Sequence, residues 1–188
     1  DDPRKNIGLL LEAFAIVHRR FPEATLSLMG GTGTDALRAA AERLGIGESV
    51  QVARRLNDKS YRAELQTLDV FVVPSHQEGL CIAALEAMAC GVPVVSTRCG
   101  GPEEFVVDDV TGICCDFDPH DLAKKVLQIV SERTLRQALG ANARTRVQER
   151  YSWRSAAATF LNGFYGVFPD IQGDGRTSLP TRAARPGP

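Results

Sequence analysis

Long hydrophobic runs are missing from this 188-residue chain. No stretch approaches the ~18–20 consecutive apolar residues that a membrane-spanning helix requires. Nor do a basic start, an apolar stretch and a small-residue cleavage site combine into a signal peptide. Neither sign of charge is in excess: 22 Lys and Arg stand against 23 Asp and Glu, for a net charge of −1. That balance argues against a broad basic face for nucleic acid or an anionic membrane, and leaves membrane association through any other part of the protein open. Cysteine is scarce and irregular. Cys81, Cys90, Cys99, Cys114 and Cys115 are odd in number, form no CxxC and lie mostly within apolar stretches. They read as small buried residues in a reducing cytosol rather than as a metal or disulfide framework. No internal repeat occurs.

What is present suffices for one domain with a proper core and is too little for two full ones. Between Asn6 and about Arg20, apolar residues recur at Ile7, Leu10, Leu11, Phe14 and Val17, the spacing of an amphipathic helix that Pro22 ends. Thr25–Met29 reads as a short buried strand, stopped by Gly30-Gly31-Thr32-Gly33. The pattern then predicts a helix over 34–44 closed by Gly45, a strand over 49–53, a helix over 59–68 and a strand over 69–73 ending at Pro74. It continues with a helix over 81–90 halted by Gly91, strands over 92–96 and 112–116, and helical segments from Pro119 to about Phe168.

Strands that are apolar throughout, rather than alternating, belong to sheets covered on both faces. Their alternation with helices predicts an α/β fold, a Rossmann-like doubly wound parallel sheet. Residues 1–168 form this domain. The tail 169–188, rich in Pro, Gly and Arg, reads as disordered. The chain begins at Asp1 without a methionine and enters through a helix, whereas a βα phosphate-binding turn has a strand ahead of it. Asp1–Lys5 therefore reads as the loop of a βα unit whose strand is cut off, and the sequence as a fragment, although a processed start looks the same.

The chemistry concentrates in Val72–Gly101. A strand ends at Pro74, a loop presents Glu78, and Gly79-Leu80-Cys81-Ile82 leads into a helix carrying Glu86. A helix N-terminus just beyond the carboxyl end of a parallel strand is where open α/β sheets bind ligands, and its free N–H groups suit phosphate. Gly79 lets the backbone turn and come close to a ligand. Glu86 sits among Ala83, Ala84, Leu85, Ala87, Met88 and Ala89, where burying a carboxylate is costly unless something donates to it. A solvated stripe of the helix is the bland alternative for Glu86, as plain surface is for Glu78. Together the two carboxylates flank an amide cluster, an arrangement that suits an elongated ligand with hydroxyls at both ends and a diphosphate between them. A nucleotide-sugar has that shape.

The run PSHQEGLCIAALEAMACGVPVV resembles the E-x7-E motif of family 4 retaining glycosyltransferases, with seven residues between Glu78 and Glu86. Cys99-Gly100-Gly101 with Glu104 resembles the following GGxxE element, Arg4-Lys5-Asn6 before LLLEAF the start of the same domain, and Met29–Gly33 its Gly-rich turn. The resemblance runs from about Asp1 to Phe168. It implies the donor-binding, C-terminal half of a GT-B fold. There Glu86 would bind the ribose hydroxyls and Glu78 the transferred sugar. The amides around Leu80, Cys81 and Ile82, next to Gly79, would meet the sugar and distal phosphate, and Lys5 would neutralise the diphosphate. Arg4 and Gly31 join this binding set. The implied reaction transfers a sugar, with retention, from a nucleoside-diphosphate sugar to an acceptor hydroxyl, UDP-sugar being the default donor and ADP- or GDP-sugar the alternatives. It needs no cofactor, metal or enzyme nucleophile. The acceptor-binding N-terminal domain is missing, so the fragment alone is expected to transfer nothing. Departures from the pattern are Asn6 for a commoner glycine, Leu80-Cys81 for Phe-Gly, and Arg54 where a glycine often follows the third strand.

Other features read as ordinary. His18 and His120 belong to the surface, His76 is a candidate for lining the cleft, Glu103 faces solvent, and Tyr151 and Trp153 are packing anchors. No acidic residue closes a plausible second strand about twenty residues past the glycines, which argues against a dinucleotide enzyme. Two glutamates at this spacing do not make a hydrolase, since nothing sets them across one bond. A non-catalytic nucleotide-binding or interaction module of the same fold remains a second reading. A nucleotide-sugar epimerase fits the E-x7-E spacing less well.

Overall fold

The computed structural model describes residues 2–29, 34–53 and 56–167. The Gly-rich turn with Gly31, Arg54 and the tail from Pro169 lie outside the described residues. The described chain alternates strand and helix as its apolar pattern predicts. Helix α1 spans Ile7–Arg20 and buries Leu10, Leu11, Phe14 and Val17 along one stripe. Its last turn carries Arg19 and Arg20, cations at the negative end of the helix dipole. Strand β1 (Leu26–Met29) follows, then helix α2 (Thr34–Arg43) and strand β2 (Val50–Ala53). Helix α3 (Asp58–Leu65) is capped by Asn57, whose side-chain oxygen accepts from the Ser60 N–H at 2.9 Å.

Strands β3 (Phe71–Val73), β4 (Val94–Thr97) and β5 (Gly112–Cys115) alternate with helix α4 (Ile82–Ala89) and lead to helix α5 (Pro119–Ser131) and helix α6 (Arg133–Arg150). Strand β4 begins two residues later than its apolar run predicts. Pro93 has no N–H to give a ladder, so pairing starts at Val94. Helix α5 opens with Pro119 in its first turn, and Asp118 accepts from the Asp121 N–H at 2.8 Å.

All strand pairs are parallel, with Leu26 opposite Val50, Phe71 opposite Val94 and Val94 opposite Gly112. Helices cover both faces, the mark of double winding. On one face Leu11, Phe14, Leu122 and Ile129 of α1 and α5 pack with Val95 and Ile113. On the other, Leu65 of α3 and Ala87 of α4 pack with Met29 and Phe71. The single sheet expected from the sequence is not continuous, however. Among the described residues the strands form two sheets, β1-β2 and β3-β4-β5.

The chain divides into two units, Asp1–Glu149 and a second that begins at Arg150. Within the second, helix α7 runs Trp153–Val167, with the Phe160 and Phe164 rings stacked at 6.2 Å between centroids. Trp153 does not anchor packing as its size predicts: it is 89% exposed. No described helix is long and apolar enough to cross a membrane.

Candidate functional site

The site begins where β3 and β4 end. Thr97 is fully buried, and its hydroxyl donates to the carbonyls of Ser75 at 2.6 Å and Val73 at 3.3 Å, tying the two strand ends together. The loops beyond continue side by side. The Glu78 N–H donates to the Cys99 carbonyl at 2.8 Å, and the Gly101 N–H returns to the Glu78 carbonyl at 3.0 Å. This closeness explains Gly101: a β-carbon there would fall on the Gly79 carbonyl. Gly100 has a φ of +100°, which side-chain-bearing residues rarely adopt. Glu103 is exposed, as expected, and its carboxylate also accepts from the Gly100 N–H at 3.0 Å and holds the turn.

Glu78 is thus fixed through its own main chain, and its side chain is only 11% exposed. One carboxylate oxygen accepts from Lys5 Nζ at 2.6 Å and from the Ser75 hydroxyl at 2.7 Å. The hydrogen bond to Glu78 raises the pKa of the Lys5 ammonium against partial burial, so lysine stays charged. Lys5 reaches this point because Pro3–Lys5 form a single 3-10 turn capped by Asp2, after which Asn6 takes the left-handed conformation at φ 48° and starts α1. Only Gly, Asn and Asp adopt that conformation at low cost, which accounts for the residue type at position 6. The His76 N–H donates to the Arg4 carbonyl at 2.7 Å and docks this turn on the β3 loop.

Arg4 itself is not brought to the pair. Its guanidinium lies on the Asp2 carboxylate at 2.7 Å, on the surface. The remaining candidates cluster at α4. Cys81 stands at the N-cap of the helix in the left-handed conformation, φ 59°, with its side chain half-buried and making no cap hydrogen bond. Leu80 and Ile82 are exposed. Among the described residues the N–H groups of Leu80, Cys81, Ile82 and Ala83 find no acceptor, so four donors and the positive end of α4 point out beside Lys5. The site therefore presents cationic character and free donors within reach of one well-fixed carboxylate, a setting for a polyoxygenated anion.

Glu86 is placed differently from its Ala-rich surroundings. Ala84, Leu85, Ala87 and Met88 turn inward, so Glu86 lies on the exposed stripe of the helix, the alternative that its sequence context left open. It faces Tyr61 of α3. Burial first, and then the Glu86 charge, push the Tyr61 phenol up to about 12, so it remains a hydroxyl donor. Sequence reasoning did not find Ser75, Thr97 or Tyr61. Ser75 had a usable signal, a hydroxyl three residues before Glu78, while Tyr61 had none. His76 is exposed and stacks on Phe117 at 5.5 Å between centroids, at the same strand ends.

A cavity of about 890 Å³ runs past this corner without centring on it. Lys5, Ser75, Glu78 and Cys81 line one end of it, Glu86 does not line it, and most of its wall is apolar.

Residues 1–146 match the family model described as glycosyl transferases group 1. A GDP-mannose-dependent α-(1-6)-phosphatidylinositol monomannoside mannosyltransferase of Mycolicibacterium smegmatis is 33% identical over 165 residues, 83% of this chain and 43% of that protein. Sucrose-phosphate synthase from Thermosynechococcus elongatus superposes with a TM-score of 0.79 at 27% identity, over 90% of this chain and 44% of that one. A structure of S. aureus TarM with UDP, fondaparinux and α-GlcNAc-glycerol superposes with a TM-score of 0.78 at 28% identity, over 86% of this chain and 33% of that one. The chain spans less than half the length of the curated relatives it matches, 43% and 41% of the first two.

Proposed function

Because the chain belongs to the group 1 glycosyl transferases, we propose that it is the C-terminal, donor-binding half of a retaining glycosyltransferase of family 4. It holds a nucleoside-diphosphate sugar, UDP-sugar by preference, across the N-terminus of α4. The observation that carries this reading is the convergence of Lys5, Glu78 and the free N–H groups of residues 80–83 beyond the carboxyl ends of β3 and β4. Lys5 then neutralises the diphosphate as a point charge. The amides meet the distal phosphate and sugar, Glu78 takes sugar hydroxyls, and Glu86 on the outer face of α4 takes the ribose diol. Tyr61 beside Glu86 orients that carboxylate.

In the transfer, the bond between the anomeric carbon and the diphosphate oxygen breaks while the acceptor oxygen bonds to the same face. The acceptor proton passes to the departing diphosphate. The contribution of these residues is to position the donor and to stabilise charge growing on the leaving group. The TarM structure contains UDP, and the mycobacterial relative uses GDP-mannose, which supports a nucleoside-diphosphate sugar as the donor class. The acceptor-binding half belongs to the remainder of the protein, so the chain alone binds donor and transfers no sugar. Its five cysteines are free, which supports residence in a reducing, cytoplasmic compartment.

Calorimetric titration of the folded chain with UDP, GDP and ADP tests this. Binding of at least one nucleotide, lost in Glu86→Ala, is the expected result. No heat with any of the three from folded protein would overturn the proposal.

A further inference from the structure

Among the described residues four polar side chains are buried: Ser75, Ser96, Thr97 and Thr111. A hydroxyl shut away from water must find an acceptor. Ser96 donates to the Thr97 carbonyl at 2.8 Å, Thr97 to the Ser75 carbonyl at 2.6 Å, and Thr111 to the Phe105 carbonyl at 2.8 Å. Ser75 alone gives its hydroxyl to a charged side chain, the Glu78 carboxylate at 2.7 Å. That carboxylate stands at one end of the cleft between β1 and β3.

The two oxygens of Glu78 are treated differently. Oε1 accepts from both Ser75 and Lys5. Oε2 has no hydrogen bond among the described residues, yet it is not sealed from water. The carboxylate thus has an inner oxygen that is satisfied and an outer one left to accept. Its two donors are not equivalent either. The Lys5 side chain is half exposed, at the end of a flexible four-carbon stem. Ser75 is 1% exposed and has a short side chain on a main chain that Thr97 pins to β4.

We propose that Ser75 is a positioning residue for sugar transfer: it holds Oε1 of Glu78 against the end of β3, so that Oε2 faces the bound donor and accepts from hydroxyls of its sugar. This deepens the donor-binding reading and rests on it. A carboxylate free to turn offers its acceptor in changing directions, and the ligand must then meet the cost of fixing it. The hydroxyl of Ser75 removes that cost in advance. Thr97 fixes the serine and the serine fixes the carboxylate, so the orientation of Glu78 derives from the sheet itself. Ser75 acts through Glu78, and its effect is confined to the sugar end of the donor. Lys5 and the α4 amides act on the diphosphate.

Calorimetry on the folded chain, with UDP against UDP-glucose and GDP against GDP-mannose, measures what the sugar adds to affinity. Ser75→Ala is expected to leave nucleotide affinity within about threefold and to cut the sugar's addition by about tenfold, the loss of one hydrogen bond to a charged group. A merely structural role would weaken nucleotide and nucleotide-sugar alike, and that result overturns the proposal. Ser75→Ala is then combined with Glu78→Ala. With no carboxylate left to orient, the serine substitution is expected to change nothing further; an undiminished loss on the Glu78→Ala background overturns the proposal as well. Where neither sugar adds affinity in the unaltered chain, the sugar role of Glu78 fails and the proposal with it. Crystals of the ligand-free Ser75→Ala chain give a reading that needs no donor. The Glu78 carboxylate is expected to move by about 1 Å or more, or to split between two orientations; an unmoved carboxylate overturns the proposal. An unaltered chain that binds none of these compounds overturns the donor reading itself, and the crystals then decide alone whether Ser75 orients Glu78.

Discussion

Lys5 Nζ stands 2.6 Å from Glu78 Oε1, an ion pair that ties the chain's first turn to the loop after β3. With the lysine side chain half exposed, the pair contributes on the order of 1 kcal/mol or less to stability. Its value lies in position. It keeps a cation beside the free N–H groups of α4.

The two partners therefore have separable effects. Lys5→Ala is expected to weaken UDP binding by about tenfold, the loss of one charge-assisted phosphate contact, while uridine binding stays unchanged. Glu78→Gln is expected to leave UDP affinity within about threefold, because the amide still accepts from Ser75 and no longer holds Lys5 as an ion. Its loss appears with the sugar attached, as a smaller gain in affinity from UDP to UDP-sugar. Calorimetry on both variants decides; equal losses for uridine and UDP in Lys5→Ala would remove the diphosphate role.

Neighbouring glycines differ in what they tolerate. A β-carbon on Gly101 would meet the Gly79 carbonyl and the Leu80 nitrogen, all backbone, whereas one on Gly79 meets nothing within 4 Å. Gly101→Ala is expected to destabilise the domain by about 2 kcal/mol, since two main-chain segments must separate, and to disturb Glu78 through the Gly101 N–H bond to its carbonyl. Gly79→Ala should cost well under half as much. Urea midpoints of the two variants test the contrast, which fails if they are alike.

Much of this architecture was legible because its signals are local. Apolar periodicity located α1 and the uninterrupted apolar runs located the strands, since each reflects burial that the side chains themselves dictate. Glu78 was legible as a residue of the loop before a helix, and Gly101 as part of a paired glycine element. What escaped were relationships between distant segments. The tie from Thr97 to Ser75, the approach of Tyr61 to Glu86 and the capture of Arg4 by Asp2 depend on which loops meet, and no spacing encodes that. Glu86 shows why both readings had to stay open: its apolar neighbours in sequence occupy the other side of the helix, so company along the chain does not mean burial. The split sheet was invisible because every strand signal was correct, and only pairing revealed the cleft.

Cys81 offers a test of backbone strain. It holds φ 59° at the start of α4, with no side-chain cap hydrogen bond in return. A β-carbon in this conformation costs roughly 1–2 kcal/mol, part of which glycine gives back as unfolded-state entropy. Cys81→Gly is expected to be neutral to stabilising, raising Tm by about 2 °C, and to open space beside Lys5 and Glu78 at the end of the cleft that Cys81 lines. The corresponding Cys81→Ala keeps the β-carbon and should show no gain. A fall in Tm for Cys81→Gly would mean that the thiol packs to more effect than the strain it brings.

Alkaline pH should unfold the domain through its buried thiols. Burial pushes Cys114 up to about 11 and Cys115 to about 12, with nearby carboxylates adding to the shift. Both start from an ordinary value of 9.0. Below pH 9 the folded and unfolded chains both hold these protons, and stability is indifferent to them. Above it the unfolded chain releases protons that the folded chain retains, so stability falls as pH rises, by roughly 1.4 kcal/mol per pH unit for each thiol until its folded pKa is reached. Cys115 is 2% exposed on β5, so water cannot relieve the burial without opening the sheet. Denaturation midpoints at pH 8, 9, 10 and 11 should therefore be level up to 9 and decline beyond it. Cys115→Ala loses some packing at every pH, yet its decline from pH 9 to 11 should be shallower, because one titrating thiol is gone while Cys114 and, above pH 10, Tyr61 remain. An alkaline slope that Cys115→Ala leaves unchanged would assign the loss to other groups.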